Sequence, residues 1–230
     1  MLEKVKEVAQ GSVLETHPHY RTAIGVLGIA LPLIAILSSL AQGRPLENSI
    51  SAYYYREVRD VFVGILWVIG VFLFFYRYRP HDPEHPPAGT VRESIRSGQA
   101  DAWLGKLAGA AAVFVAVFPT SQEGVPLDVP LIGRVHGFAA LILFTCLALF
   151  PLLLFSQSAL HRRRYKTYGW VMLGLLALTV AFVIAPEGVQ QRLASWNPIL
   201  VLETLLILVF GISWFDKGTD LAAAAKGKVG

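Results

Sequence analysis

Six stretches of this sequence are apolar and each is close to the length needed to cross a lipid bilayer. They cover residues 22–41, 58–76, 103–118, 135–155, 168–185 and 198–215. A helix rises about 1.5 Å per residue and the hydrocarbon core is about 30 Å thick, so a spanning helix takes roughly 20 mostly apolar residues. Charge agrees with that reading. Only 16% of the residues are charged, against about 25% in an ordinary soluble domain, too few to cover a water-facing surface. No soluble stretch is long enough for a second core. The sequence therefore predicts an all-α fold: one membrane domain over residues 1–230, built as a bundle of six transmembrane helices. The third stretch is the shortest, and its helix is expected to begin earlier. Thr90-Val91-Arg92-Glu93 has the capping-box spacing of a helix start, and Gly98 would interrupt a surface helix begun there.

The basic residues give the bundle a direction. With the N-terminus inside, fifteen of the 20 Lys and Arg fall in inner segments and five in outer loops. Excess Lys and Arg on the cytoplasmic side is the usual determinant of orientation, so both termini are expected in the cytoplasm. Trp103, Trp170 and Trp214 fall at predicted inner ends and Trp196 at an outer end, where interfacial tryptophans collect. A competing reading takes Ser39-Leu40-Ala41 as a signal-peptidase site; cleavage there would leave five helices. Its weakness is the charged region of about 21 residues before the apolar run, long for a signal peptide.

Other features read as structural. Pro80 to Pro87 is an extended proline-rich linker whose His81, Asp82, Glu84 and His85 form no closed metal site. Arg162, Arg163, Arg164 and Lys166 form a basic cluster that fixes topology and touches anionic headgroups. Asp101 and Lys106 read as an interface charge and a snorkelling lysine. Gly105 and Gly109 on the third helix, and Gly64 and Gly70 on the second, read as close-packing surfaces. Pro32 and Pro151 each free a carbonyl and can kink a helix. Ala222 to Gly230 reads as a frayed basic tail. The one cysteine, Cys146, cannot form an intramolecular disulfide.

Chemically unusual residues collect on the predicted outer side. The first outer loop carries Tyr53, Tyr54, Tyr55, Arg56, Arg59 and Asp60; Arg134 and His136 open the fourth helix; Glu203 lies in the sixth. A carboxylate in the hydrocarbon region costs several kcal/mol unless paired or hydrated, and such residues usually face the bundle interior. Arg59, Arg56, Arg134 and His136 are its candidate partners by depth. Glu203 is then either half of an ion pair locking the sixth helix to the second or fourth, or a binding site for protons, ions or a substrate. His136 is a helix-start residue, a buried hydrogen-bond partner, or a titrating acid or base. The three tyrosines fit the interfacial aromatic belt or wall a pocket for a headgroup or sugar. A pocket requires the side chains of Arg59, His136 and Glu203 to converge.

There is no phosphate-binding glycine loop, no Gly-x-Ser-x-Gly, and no pair of histidines at helical spacing in an apolar segment. No cofactor, metal or nucleic-acid partner is therefore predicted, and these motifs assign no residue a catalytic role. Ser49-Ile50-Ser51-Ala52-Tyr53-Tyr54-Tyr55, Arg59-Asp60-Val61-Phe62-Val63-Gly64-Ile65-Leu66, Phe118-Pro119-Thr120 and Val135-His136 resemble small bacterial multi-pass proteins of the uncharacterised DUF998 type, and more distantly the Frag1/DRAM/Sfk1-like six-helix proteins. The resemblance covers about residues 45–150 by motif and the rest by helix count. It implies a six-helix membrane fold and no activity. A kinship with ceramidase-like zinc hydrolases would need histidines within the helices, which are lacking.

The first functional expectation is a non-enzymatic multi-pass protein with an outward-facing polar pocket for a lipid or small solute, lined or braced by Arg59, Asp60, His136 and Glu203, with Arg56, Arg134 and Tyr54 nearby. The second is a proton- or ion-coupled transporter or channel that uses Glu203. The third is a membrane-embedded lipid-modifying enzyme with His136 and a carboxylate as acid and base. Membrane lipids are the expected partners, and the short loops suit a bacterial inner membrane.

Overall fold

A computed structural model describes residues 18–76, 99–121, 130–157 and 161–226. Seven α-helices account for most of them: α1 (Pro18–Ala41), α2 (Arg59–Phe74), α3 (Gln99–Val117), α4 (Pro130–Leu149), α5 (Arg162–Val183), α6 (Glu187–Leu193) and α7 (Pro198–Lys226). Among the described residues there is no strand. The Pro80–Pro87 linker, the Thr90–Glu93 capping box, Gly98 and the basic residues Lys4, Lys6, Arg77, Arg79, Arg92, Arg96 and Lys228 lie outside the described residues.

Five helices are long and apolar enough to cross a membrane: α1, α3, α4 with its continuation to Gln157, α5 and α7. Their outward faces carry large apolar side chains such as Leu37, Leu40, Trp103, Phe138, Leu178 and Ile184, all exposed. A water-soluble surface rarely carries so much apolar area, whereas lipid accepts it. The chain is a multi-pass membrane protein. α2 is equally apolar but has 16 residues, so it spans about 24 Å at the standard rise. The third stretch does begin earlier than its apolar run, at Gln99, and the last helix continues through Ala222 to Lys226, so the first part of the expected tail is helical.

Three boundaries have a clear local cause. α1 ends where Gly43 takes a left-handed φ of 63°; the amides of Gly43 and Arg44 then return to the carbonyls of Leu40 and Ser39, at 3.1 and 3.0 Å. Asn197, with φ 46°, closes a short 3₁₀ turn at Ala194–Trp196, and Pro198 starts α7, where its missing N–H costs nothing. Pro32 lies within an uninterrupted α1. Pro151 sits in a wide turn, Phe150–Leu154, that follows α4, as expected where a proline removes a helical hydrogen bond.

The long helices close into a ring. α1 packs on α7, α7 on α5, α5 on α4, α4 on α3, α3 on α2, and α2 returns to α1. The two most extensive of these contacts are α1 with α7 and α2 with α3, and both are glycine contacts. A Cβ at Gly211 would lie 2.8 Å from the Gly25 carbonyl, and one at Gly28 would lie 2.9 Å from the Phe210 ring. On the other pair, a Cβ at Gly105 would lie 2.6 Å from the Leu73 carbonyl, and Gly109 abuts Gly70 and Phe74. Backbones approach this closely only where side chains are absent. The packing role expected of Gly105, Gly109 and Gly70 therefore holds. Gly64 is different: nothing lies within 4 Å of where its Cβ would be, so it is not a packing surface.

Each end of the ring is filled differently. At one end Trp214, Tyr76, Phe150 and Phe155 stack edge to face around Trp214, with ring centroids 5.0 to 5.2 Å from it. Trp214 is fully buried, so it is a core residue, not the interfacial anchor expected. Trp103, Trp170 and Trp196 are exposed. At the other end the connection between α1 and α2 folds inward and Tyr53 becomes fully buried. Ser39 donates to the Tyr53 hydroxyl at 3.2 Å. The belt position expected for Tyr53 is therefore replaced by a core position, while Tyr54 and Tyr55 stay partly exposed.

Candidate functional site

The α1–α2 connection is held by its own charges and by α7. Glu47 is buried and pairs with Arg56, and Arg44 pairs with Glu57. A backbone amide and the Arg44 guanidinium hold the Glu57 carboxyl below its usual range. A 3₁₀ helix, Ser51–Tyr55, forms between them. The Ser49 hydroxyl accepts the Ala52 amide at 3.0 Å. The Ile50 and Ser51 amides, which the short helix leaves without a partner, donate to Oε2 of Glu203 at 2.8 and 3.4 Å. Tyr55 donates to the Thr120 carbonyl at 2.7 Å, and burial together with the adjacent Tyr54 raises its phenol above the ordinary range.

The partners of Glu203 among the described residues are thus backbone amides. The expected cation is not there. Arg56 is engaged with Glu47. Arg59 donates to the Tyr54 hydroxyl at 2.9 Å, with its guanidinium 4.6 Å from the centre of that ring. Glu203 does lock α7 to another element, but that element is the first connection rather than α2 or α4.

Beside Glu203 opens a cleft of ≈ 610 Å³. Its walls are the first half of α4, the last half of α5 and the first turns of α7, with the α1–α2 connection and Thr120 and Ser121 after α3 at one end. Polar groups gather at that end, Arg134, His136 and Glu203 among them; Leu141, Phe144, Leu176, Val180 and Leu206 line the rest. The cleft exists because α4 touches α7 only slightly: the ring is continuous through α5, leaving a gap on the side of α4 that faces α7. Glu203 also borders a second, smaller cavity of ≈ 40 Å³ among Leu66, Leu143, Phe210 and neighbouring, mostly apolar residues.

His136 is 3% exposed and lines the cleft. Its Nδ1 lies 2.7 Å from the Phe118 carbonyl oxygen. A carbonyl only accepts, so Nδ1 carries the proton and Nε2 of the neutral ring carries the lone pair. That Nε2 is buried with no hydrogen-bond partner. A buried acceptor without a donor costs free energy, so this atom calls for an explanation.

Of the seven residues singled out from the sequence, the cleft brings together Glu203, His136 and Arg134. Tyr54 and Arg56 are elsewhere on the connection, bonded to Arg59 and to Glu47, and Arg59 and Asp60 lie in the first turn of α2. The three-way convergence of Arg59, His136 and Glu203 does not occur, because the Tyr54 ring and hydroxyl hold the Arg59 guanidinium.

A second polar cluster, at the Trp214 end, was not anticipated. Asp216 and Asp220, one turn apart on α7, face α5. Arg164 reaches both, Nη2 to Asp220 at 2.6 Å and Nη1 to Asp216 at 3.5 Å. Tyr165 donates to Asp220 and Tyr168 to Asp216, the latter at 2.7 Å. Lys217 is 1% exposed, with its ammonium 5.0 Å from the Tyr165 ring centre. Arg21 is buried and donates to the Tyr76 hydroxyl at 3.0 Å. Asp101 is buried too, not at an interface as expected, whereas Lys106 is exposed and lies over the Trp103 ring. Arg164 is thus drawn out of the basic cluster, whose Arg162, Arg163 and Lys166 stay exposed. The spacing of Asp216 and Asp220 was the available signal.

A family model described as "Protein of unknown function (DUF998)" matches residues 22–215. No curated protein and no solved structure matches the chain significantly.

Proposed function

The chain belongs to the DUF998 family, whose description assigns no activity, and we propose that it is a six-span membrane protein whose cleft between α4, α5 and α7 takes up a membrane lipid from the outer leaflet. The observation that carries this reading is the shape and lining of the cleft: apolar walls about half a helix long under a polar end formed by Arg134, His136 and Glu203. That layout matches an amphiphile, with acyl chains along Leu141, Phe144, Leu176 and Val180 and a headgroup at the polar end. The cleft lies in a helix bundle whose outward faces are apolar, so a ligand can enter sideways from lipid. Native mass spectrometry of the protein released from mild detergent tests it. Lipid adducts are expected, and Gly137→Trp is expected to remove them, since Gly137 lines the cleft and open space surrounds its Cβ position. Absence of adducts on the wild type, or their persistence in Gly137→Trp, overturns the reading.

The six-span count takes α2, with its flanking Val58 and Phe75, as the sixth crossing. It places both termini in the cytoplasm and the polar end of the cleft outside. The support is the charge bias, fifteen basic residues against five. The short connections suit a bacterial inner membrane. Reporter fusions decide the count: with six spans, fluorescent fusions at both ends are cytoplasmic and alkaline phosphatase at either end is inactive. Five spans would put the ends on opposite sides.

One observation favours a second reading, proton- or ion-coupled transport. Glu203 borders both the cleft and the smaller cavity in the bundle, the position of a carboxylate that passes an ion inward. Ion-linked flux into liposomes, abolished in Glu203→Gln, is the expected result; no flux above protein-free vesicles removes this reading.

A further inference from the structure

The polar end of the cleft has a definite hydrogen-bonding character, and it is not that of a generic anion site. The lone pair of His136 Nε2 lacks a donor. Glu203 receives the Ile50 and Ser51 amides on Oε2 alone, so its second oxygen is engaged by neither. Thr179 does not compensate, because its hydroxyl already donates to the Leu175 carbonyl at 2.9 Å. Two acceptor atoms, His136 Nε2 and one Glu203 oxygen, are therefore left without donors. The cation at this end, Arg134, is exposed on the first turns of α4.

A ligand that satisfies this set carries N–H or O–H donors and a positive charge at one point, and an anion at another. We propose, resting on the lipid reading above, that the headgroup taken up is a primary ammonium joined to a phosphodiester, as in an ethanolamine phospholipid. The ammonium presents three donors to Glu203 and His136, and the phosphate faces Arg134. With the ammonium beside it Glu203 is held as a carboxylate, and one carboxylate and one guanidinium then match a zwitterion. A choline headgroup has the same charge but no N–H, so it leaves both acceptors without a bond. A glycerol headgroup has donors but no cation, so it leaves Glu203 without a counter-charge. A serine headgroup adds a carboxylate beside Glu203.

The experiment compares headgroups on the wild-type protein in nanodiscs, with acyl chains held constant, by competition for the bound-lipid population in native mass spectrometry. Phosphatidylethanolamine is expected to outcompete phosphatidylcholine roughly tenfold, the discrimination of a lost hydrogen bond to a charged group. The N-monomethyl and N,N-dimethyl lipids should fall in order between them as donors are removed. Arg134→Gln is expected to weaken both lipids and leave their ratio unchanged, while Glu203→Gln is expected to collapse the ratio. Soluble phosphoethanolamine at equal concentration is expected not to compete. Equal retention of all headgroups, with Gly137→Trp still removing them, overturns the ethanolamine assignment and leaves the lipid cleft standing. Loss of all binding overturns the cleft itself. Competition by phosphoethanolamine as strong as that of the lipid overturns the membrane as the source.

Discussion

Glu203 and Ile50, 153 residues apart in sequence, are joined by a 2.8 Å hydrogen bond from the Ile50 amide to the Glu203 carboxylate. It ties the last long helix to the connection that leaves the first. The same carboxylate borders the cleft, so the residue that fastens this end of the bundle also forms part of the surface a ligand would touch.

Glu203→Gln tests the fastening. The amide side chain keeps an acceptor but loses the charge, and a bond to a charged group contributes about 1.5–3 kcal/mol against about 1 for a neutral one. Thermal unfolding in detergent should shift down accordingly, and hydrogen exchange at Ile50 and Ser51 should accelerate ahead of that in α7. Unchanged exchange at those two amides would mean that the bond does not hold the connection.

The glycine contacts predict a contrast within one helix pair. Gly109→Ala forces a methyl against Gly70 and Phe74 of α2, and overpacking of this kind costs about 1–3 kcal/mol. Gly64→Ala meets open space and should be neutral or stabilising by up to about 1 kcal/mol, the helix gain of Ala over Gly. Chemical denaturation midpoints of the two variants should therefore move in different directions. Similar losses in both would refute the close α2–α3 approach.

Tyr53 separates a core tyrosine from a belt tyrosine. Tyr53→Phe removes the bond from Ser39 and should cost about 0.5–1.5 kcal/mol, whereas Tyr53→Ala empties a fully buried site and should cost about 3–5 kcal/mol. Tyr54→Ala, at a partly exposed position, should cost clearly less than Tyr53→Ala. Equal effects at the two positions would return Tyr53 to the interface.

Arg164 and Asp220 predict a measurable but modest coupling. The Arg164 side chain is 36% exposed, so solvent weakens the pair, and a double-mutant cycle of Arg164→Gln with Asp220→Asn should give about 0.5–1 kcal/mol. Tyr165→Phe should couple to Asp220→Asn as well, because the two share a hydrogen bond. Strict additivity in both cycles would show the cluster to be unimportant for joining α5 to α7.

The parts of this structure legible in the sequence are those set by the solvent. Long apolar runs mark the helices whatever their partners, and Gly105 and Gly109 announced a contact through their spacing. Glu203 stood out because a carboxylate among apolar residues is expensive anywhere in a bilayer. Its partners were not legible: a backbone amide has no letter of its own, and a search among arginines could not find Ile50 and Ser51. Tyr53 and Trp214 read as belt residues because an aromatic near the end of an apolar run looks the same whether it faces headgroups or the bundle axis. Asp101 misled in the same way, since burial at a helix end depends on neighbours from other parts of the chain. Gly25, Gly28 and Gly211 passed unnoticed because their contact joins the two extremes of the sequence.

That last contact has a consequence for how the protein is made. α1 leaves the ribosome well before its principal neighbour α7, which begins at Pro198. At roughly 5–20 residues per second, the interval between them is on the order of 10–30 s. Throughout it the backbone exposed at Gly25 and Gly28 has only lipid or a chaperone to lie against, and the gap in the ring is at its widest. Closure waits for α7, so a chain halted before Gly211 would be threaded through the membrane and still unsealed, a form that quality-control proteases could recognise by its open glycine seam.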